Sequence, residues 1–236
     1  MKKIIKRLIP NKVLHFIRRK NYNINNSRFL NKTPEQTFSE IYRNNHWNGE
    51  ESISGRGSEM DQTETIINEL NKIIKELNIK TILDLPCGDF NWMNSVNLEN
   101  LNYIGGDIVK ELISENNKRY AATNIKFINL NLIEDKLPKS DLIFCRDCLV
   151  HLSYSDIRNS LENIKSSNSK YLLTTTFTEH KKNYDICTGD WRALNLEVHP
   201  FNMIKPIKII KEKCSEEAGG FKDKSLLLYE ISELTF

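Results

Sequence analysis

The rhythm of apolar and polar positions changes several times along this 236-residue chain. Within Glu59–Asn78, Ile66, Ile67, Leu70, Ile73, Ile74 and Leu77 recur three and four apart, the spacing of one helix face. Beyond that point short apolar runs alternate with helical patterns. Strands are expected at Thr81–Leu85, Leu101–Gly106, Ile125–Leu130, Asp141–Cys145 and Lys170–Phe177. Helices are expected near Asn91–Val96, Val109–Ala122 and Tyr154–Ser166, with two further apolar runs at Ile204–Ile210 and Ser225–Ile231. Upstream, Thr33-Pro34-Glu35-Gln36 reads as a helix start, with Thr33 as N-cap, Pro34 in the first turn and Gln36 at the capping-box position, the helix running to about Asn45. Strands alternating with helices imply an α/β fold, a parallel sheet with helices on both faces. Thr178–Pro200 is too polar for core and too long for a tight turn, and loops of that length tend to be functional.

In open α/β sheets ligands bind beyond the carboxyl ends of the strands, so the residues after each strand matter most. The first strand runs into Asp84-Leu85-Pro86-Cys87-Gly88-Asp89-Phe90, where Gly88 lets the backbone approach a ligand closely. The second ends at Gly105-Gly106-Asp107, where an acid is placed to accept both hydroxyls of a ribose. The separation of Gly88 and Asp107, about twenty residues, is that of a nucleoside-binding βαβ unit.

Asp84–Phe90 together with Asp107 resembles motifs I and II of the Rossmann-like S-adenosylmethionine-dependent methyltransferases. The usual pattern there is acid-x-Gly-x-Gly-x-Gly; this chain keeps Asp84 and Gly88 but has Pro86 and Phe90 at the outer glycine positions. Loss of those glycines disfavours a dinucleotide, whose pyrophosphate must approach a helix N-terminus. The resemblance implies a mostly parallel seven-stranded sheet with an N-terminal helical extension, and S-adenosyl-L-methionine as cofactor. It implies that Gly88 lies near the methionine part and that Asp107 holds the ribose. Asp84, Pro86, Asp89, Ile108, Arg146 and Ser58 complete the expected cofactor set, with Asn131 at a position where the family often has an acid accepting from the adenine amino group. The fourth strand leads into Cys145-Arg146-Asp147-Cys148-Leu149-Val150-His151-Leu152, which resembles the family's acceptor-facing turn. His151 is the candidate base, and Asp147 the group that orients it or holds a cation. A divalent metal beside the acceptor is conceivable, although one acid does not make a site. Packing or capping by His151 is the plainer alternative.

Two flanking stretches resemble bacterial methyltransferases found with surface-polysaccharide genes. One runs from Ile41 through Trp47 to Ser58, the other from Asp185 to Leu196 with Pro200-Phe201. This narrower resemblance implies transfer to a sugar hydroxyl of a nucleotide-activated sugar or a surface glycan of capsule or lipopolysaccharide type. Trp47 and Trp191 offer flat apolar faces for a pyranose. Asp185, Asp190, Arg192 and Asn195 offer hydrogen bonds, and Arg192 a partner for a diphosphate. A structural loop with a core Trp and solvated charges is the rival reading.

Charge sharpens this picture. The formal net charge is +3, but residues 1–20 carry eight Lys and Arg and no acid. Setting those eight aside from 34 leaves 26 basic residues against 31 acids, a balance of −5. A mildly acidic body is poorly suited to a phosphate backbone, so no nucleic-acid partner is expected. The basic segment reads either as an amphipathic helix on an anionic membrane surface or as a solvated tail. Residues 1–32 are accordingly taken as segment and linker, and 33–236 as the methyltransferase domain. With no long apolar run and no signal peptide, the expected location is cytoplasmic, with peripheral contact at the inner membrane face as an extension. Five cysteines, including a lone Cys145-x-x-Cys148, argue against a disulfide framework and against a four-ligand zinc site. The rivals are a methyltransferase for another small molecule, a protein or a nucleic acid, and a non-catalytic cofactor-binding subunit. A nicotinamide dehydrogenase is disfavoured by the missing three-glycine fingerprint.

Overall fold

The computed structural model describes residues 20–216 and 221–236. The basic amphipathic segment expected at the N-terminus falls almost wholly outside them. Four helices are described: α1 (Pro34–Arg43), α2 (Met60–Glu76), α3 (Lys110–Tyr120) and α4 (Tyr154–Ser166). The strands are β1 (Thr81–Asp84), β2 (Asn102–Asp107), β3 (Ile125–Asn129), β4 (Leu142–Cys145), β5 (Tyr171–Phe177), β6 (Lys208–Lys211) and β7 (Lys224–Glu230). They form one sheet in the order β3-β2-β1-β4-β5-β7-β6. The strands from β3 to β5 in that order pair in parallel, and β7 runs antiparallel to both β5 and β6. The α/β class and the mostly parallel seven-stranded sheet therefore stand as expected.

Strand alternation distributes the core to both faces, as a sheet covered on both sides requires. Leu83, Ile143, Cys145 and Leu172 face α4, whose Ile157, Leu161 and Ile164 are fully buried against them. Their neighbours Ile82, Leu142, Phe144 and Leu173 face Ile66, Leu70 and Ile73 of α2. The start of α1 carries the expected reciprocal cap: Thr33 Oγ1 accepts from Gln36 N at 3.2 Å, and Gln36 Oε1 accepts from Thr33 N at 3.0 Å.

Three expectations change. The helix near Asn91–Val96 is a single 3-10 turn, Met93–Ser95, because Trp92 and Met93 are drawn into the core and leave no room for a longer amphipathic element. Of the Ile204–Ile210 run only Lys208, Ile209 and Ile210 enter a strand, which extends to Lys211. The Asn-rich stretch before α1 does not hang free. Phe29 is buried, and a Cβ on Gly189 would lie 2.7 Å from its ring and 2.3 Å from Thr37, so this stretch packs against both α1 and the later polar loop.

Order β2-β1-β4 puts the reversal of strand order between β1 and β4, where a crevice opens at the carboxyl ends. The central strands set its rigidity. Leu173→Ala, which truncates a fully buried side chain of β5, is expected to cost about 2–5 kcal/mol in a urea titration with no change in cofactor stoichiometry.

Candidate functional site

A cleft of about 1150 Å³, counting its open mouth, lies over the carboxyl ends of β1, β2 and β4. Its walls include all nine residues expected to hold a cofactor, from Ser58 and Asp84 to Asn131 and Arg146, and also Trp47, Asp147 and His151. Asp185, Asp190, Trp191, Arg192 and Asn195 do not line it.

The turn after β1 is built for close approach. Gly88 has φ of +55°, and a Cβ there would meet Ser54 Oγ at 2.3 Å. The conformation and the space both demand glycine. Phe90, standing where the family has its third glycine, also takes a positive φ of 59°, but its ring leaves the site and packs 5.1 Å from each of Tyr103, Tyr120 and Phe127. Asp107 accepts from Val109 N at 3.0 Å and from Gly88 N at 3.3 Å, so one carboxylate joins the turns after β1 and β2. Asp84 accepts from Tyr103 OH at 2.5 Å.

Both acids are nearly inaccessible, 2% and 6% exposed, and neither forms an ion pair among the described residues. Burial pushes Asp84 up to about 8 and Asp107 up to about 6, the latter against three opposing backbone N–H groups. The two buried carboxyls line the cleft without an ion-pair partner among the described residues, Arg146 acting on Asp84 only at longer range.

Other expected residues have prior engagements. Asp89 accepts from Ser52 Oγ and from Ile53 N, each at 3.0 Å, and from Asn91 N at 3.3 Å. It clamps the segment before α2 over the turn after β1. Asn131 lines the cleft with its side-chain oxygen also accepting from Ile133 N at 3.0 Å. Arg146 pairs with Glu212 at 2.8 Å and donates to Gly57 O at 2.9 Å, so its guanidinium is bound to the protein first. Asp147 accepts from Lys224 at 2.6 Å and lies 3.3 Å from Arg146.

These pairings correct the reading of Asp147 as the orienter of His151 or as a metal ligand. Burial would raise its carboxyl, but Arg146 and Lys224 hold it down at about 2. The residues do not fit a divalent ion, because that carboxylate already serves two cations. Among the described residues, moreover, no three His, Cys, Asp or Glu side chains gather around a common point.

His151 sits in the 3-10 turn Leu149–His151 after β4. Its Nδ1 lies 3.0 Å from the Asp190 carbonyl, and its ring stacks 5.0 Å from Trp47 at 35°. A carbonyl only accepts, so Nδ1 carries the proton and Nε2 is left with a lone pair. Burial lowers the imidazole to about 4, so it is neutral at pH 7.

The loop residues expected to bind the acceptor lie away from the cleft, a second correction: Arg192 and Asn195 are buried, Asp190 and Trp191 half-buried, and Asp185 exposed. Arg192 is 0% exposed and donates to backbone carbonyls. Asn195 is buried and donates to His180 O at 2.8 Å. Asp185 accepts from Tyr154 N at 2.7 Å at the start of α4. Asp190 accepts from Tyr22 OH, and Trp191 packs edge-on to Phe177. At Arg192 and Asn195 polar character in the sequence reported buried hydrogen bonding, not an exposed face. The cleft walls that sequence reasoning missed are Phe38, Ile41 and Tyr42 of α1, with Ile53 and Ser54. Glu212 and Lys224, which pair with Arg146 and Asp147, were missed as well.

No protein-family model matches the chain, and no curated protein matches it. Solved structures do resemble it. The N-methyltransferase NodS from Bradyrhizobium japonicum WM9, in complex with S-adenosyl-L-homocysteine, aligns at a TM-score of 0.59 and 9% identity, over 80% of this chain and 97% of that one. The 1,6-didemethyltoxoflavin-N1-methyltransferase of Burkholderia thailandensis, with bound 1,6-didemethyltoxoflavin and S-adenosylhomocysteine, gives 0.56 at 12% identity over 83% and 86%. A methyltransferase from Clostridium acetobutylicum ATCC 824 gives 0.54 at 12% over 83% and 98%. The chain thus has the Rossmann-like fold of the S-adenosylmethionine-dependent methyltransferases. Among the described residues no helix is long and apolar enough to cross a membrane.

The ion-pair floor yields a test. Lys224 has a side chain only 4% exposed. Lys224→Met strips Asp147 of its closest partner and is expected to cost about 3–5 kcal/mol in chemical denaturation. The double variant with Asp147→Asn recovers part of that loss. Asp147's own contribution is complete above about pH 4 and is lost as pH falls through about 2, so the wild-type midpoint should drop across that window.

Proposed function

We propose that this protein is an S-adenosylmethionine-dependent O-methyltransferase acting on a sugar hydroxyl, in a nucleotide-activated sugar or a surface glycan. The observation that carries the cofactor assignment is the pair of buried carboxyls, Asp84 and Asp107, that line the cleft at the carboxyl ends of β1 and β2 without an ion-pair partner among the described residues. The group to be bound is a cation bearing a ribose, with Asp107 accepting from ribose hydroxyls and the backbone of Gly88, on the cleft wall, beside the amino-acid portion. Asp84 lies beneath that portion, where its charge favours an ammonium or sulfonium. Ile108, Asn131 and Ser58 line the same cleft, which supports their part in the cofactor site.

When bound, S-adenosylmethionine supplies a methyl group activated by the sulfonium. The protein's part is alignment and proton removal. His151 Nε2, bare because Nδ1 is held by Asp190 O, takes the proton of the acceptor hydroxyl as the new bond forms. Trp47, stacked beside the imidazole, gives the acceptor ring a flat apolar surface. Support for a sugar is now narrower than the sequence suggested. It rests on Trp47 and on the polar edge formed by Asp147 and His151, since Trp191 and Arg192 face elsewhere. A nitrogen acceptor on a small molecule is the second reading, favoured by the two N-methyltransferases among the similar structures. The body's balance of −5 still disfavours nucleic acid.

Calorimetry with S-adenosylmethionine tests the cofactor. In the ligand-free protein the raised carboxyls make ionisation unfavourable, and a bound cation reverses that preference. Affinity should therefore rise from pH 5, as Asp107 and then Asp84 ionise, and level off above about 8. At pH 7 proton release should appear as a dependence on buffer ionisation enthalpy. Asp107→Asn should weaken binding about 10- to 100-fold. No detectable uptake by the folded protein removes the assignment. For the transfer step, methyl incorporation into a panel of nucleotide sugars, free glycosides and amines separates the acceptor readings. His151→Ala should lower turnover by about 10²–10⁴-fold at unchanged cofactor affinity.

A further inference from the structure

Residues 189–192 of the long polar loop bond the backbone carbonyls of Val150, His151 and Leu152, the residue that carries the imidazole and its two neighbours. Val150 O accepts from Arg192 N at 3.1 Å and from Arg192 Nη1 at 3.3 Å. His151 O accepts from Gly189 N at 2.8 Å, and Leu152 O accepts from Arg192 Nη1 at 2.8 Å. The same loop provides the Asp190 carbonyl that receives His151 Nδ1–H. Tyr22 holds the loop in turn: its OH donates to Asp190 Oδ2 at 2.9 Å and accepts from Cys187 N at 2.7 Å.

Arg192 is an expensive way to hold a turn. It is fully buried, it forms no ion pair among the described residues, and its Nε and Nη2 have no hydrogen-bond partner. The guanidinium lies 5.4 Å over the Tyr154 ring, which compensates only in part. Burial draws it down to about 10, so it keeps its charge at neutral pH without a carboxylate to balance it. An apolar side chain of similar volume would fill the space at less cost. No apolar side chain would place one nitrogen on the carbonyls at both sides of His151.

We propose that Arg192 is a positioning residue for His151: its guanidinium and the adjoining main chain fix residues 150–152 so that the imidazole keeps its proton on Nδ1 and presents a bare Nε2 to the cleft. The consequence for catalysis rests on His151 acting as the base, but the tautomer does not. The positive charge adds to the effect, since it opposes a second proton on the ring. Residues 189–192 of the loop are in this way a brace for the acceptor-side base.

The test is nitrogen NMR of the full chain labelled at histidine, with His151 assigned by the resonances lost in His151→Ala. Wild-type protein should show one tautomer, protonated at Nδ1. Arg192→Gln should lose that single state and populate Nε2–H, and Arg192→Lys, which restores a donor and the charge, should recover it in part. Binding of S-adenosylhomocysteine should be retained in both, since the cofactor half of the cleft is untouched. Should Arg192→Gln fail to fold, Tyr22→Phe replaces it, loosening Asp190 from the other side with the same expected loss. A wild-type tautomer retained in whichever folded variant is measured overturns the proposal. A shifted tautomer in Arg192→Gln together with full turnover by His151→Ala upholds the brace and removes the base role alone.

Discussion

The carboxylate of Asp107 is the point on which the cleft depends. It accepts from the amides of Gly88 and Val109, and so ties the turn after β1 to the turn after β2. Parallel pairing of the two strands brings their carboxyl ends level, with Asp84 opposite Gly105, and leaves the turn amides with no strand partner of their own. A buried N–H must find an acceptor. Supplying it from a carboxylate rather than a carbonyl shapes both turns and leaves an acidic group on the cleft wall. Structure and ligand chemistry are in this way the same atoms. The cost is visible in the raised pKa, and a cationic ligand is what offsets it.

How much of this was legible follows from sequence separation. Asp84, Gly88 and Asp107 lie on one βαβ stretch, where spacing alone carries them to the strand ends, and the structure puts all three on the cleft wall. Thr33 and Gln36 were readable for the same reason: a capping box is local chemistry. Lys224 and Glu212 were not readable. They reach Arg146 and Asp147 from 66 to 77 residues away across β7 and the connection before it, and no local pattern announces a partner at that distance. Arg192 and Asn195 were misread because composition reports polarity and not burial. Both look like a binding loop in one dimension, and both are hydrogen-bonded inside the protein in three. Phe90 shows the converse. A missing glycine looked like a defect in the motif, yet the backbone keeps its positive φ and the ring finds an aromatic pocket.

Buried charge falls into two kinds here, and the distinction separates scaffold from site. Arg146, Asp147, Glu212 and Lys224 balance one another, two positive and two negative, within 3.4 Å contacts. That set joins β4 to β7 and to the segment after β6, and nothing external is needed to complete it. Asp84 and Asp107 have no such partners, and Arg192 has none of the opposite sign. The unbalanced groups are the ones placed against either half of the proposed reaction: carboxylates under the cofactor, a guanidinium behind the base.

The same sorting selects the proton acceptor. Besides Arg146, which has no lone pair to offer, three ionisable side chains of the cleft follow β4 within six residues: Asp147, Cys148 and His151. Asp147 stays ionised to about pH 2, too weak a base to draw a proton from a hydroxyl, and its charge is committed to Lys224. The Cys148 thiol is pushed well above its ordinary range by its contact with Cys145 and by burial, so it holds its proton and offers no lone pair of useful basicity. His151 is neutral, with one nitrogen tied to a carbonyl and the other unprotonated. Its low pKa makes it a weak base at rest. An acceptor hydroxyl becomes strongly acidic only as its oxygen bonds to the incoming methyl, so a weak, fixed base is sufficient at that moment and does not compete for protons beforehand. A turn held by three carbonyl contacts keeps that nitrogen in place, and the fixity of the brace matters more to the reaction than the basicity of the ring.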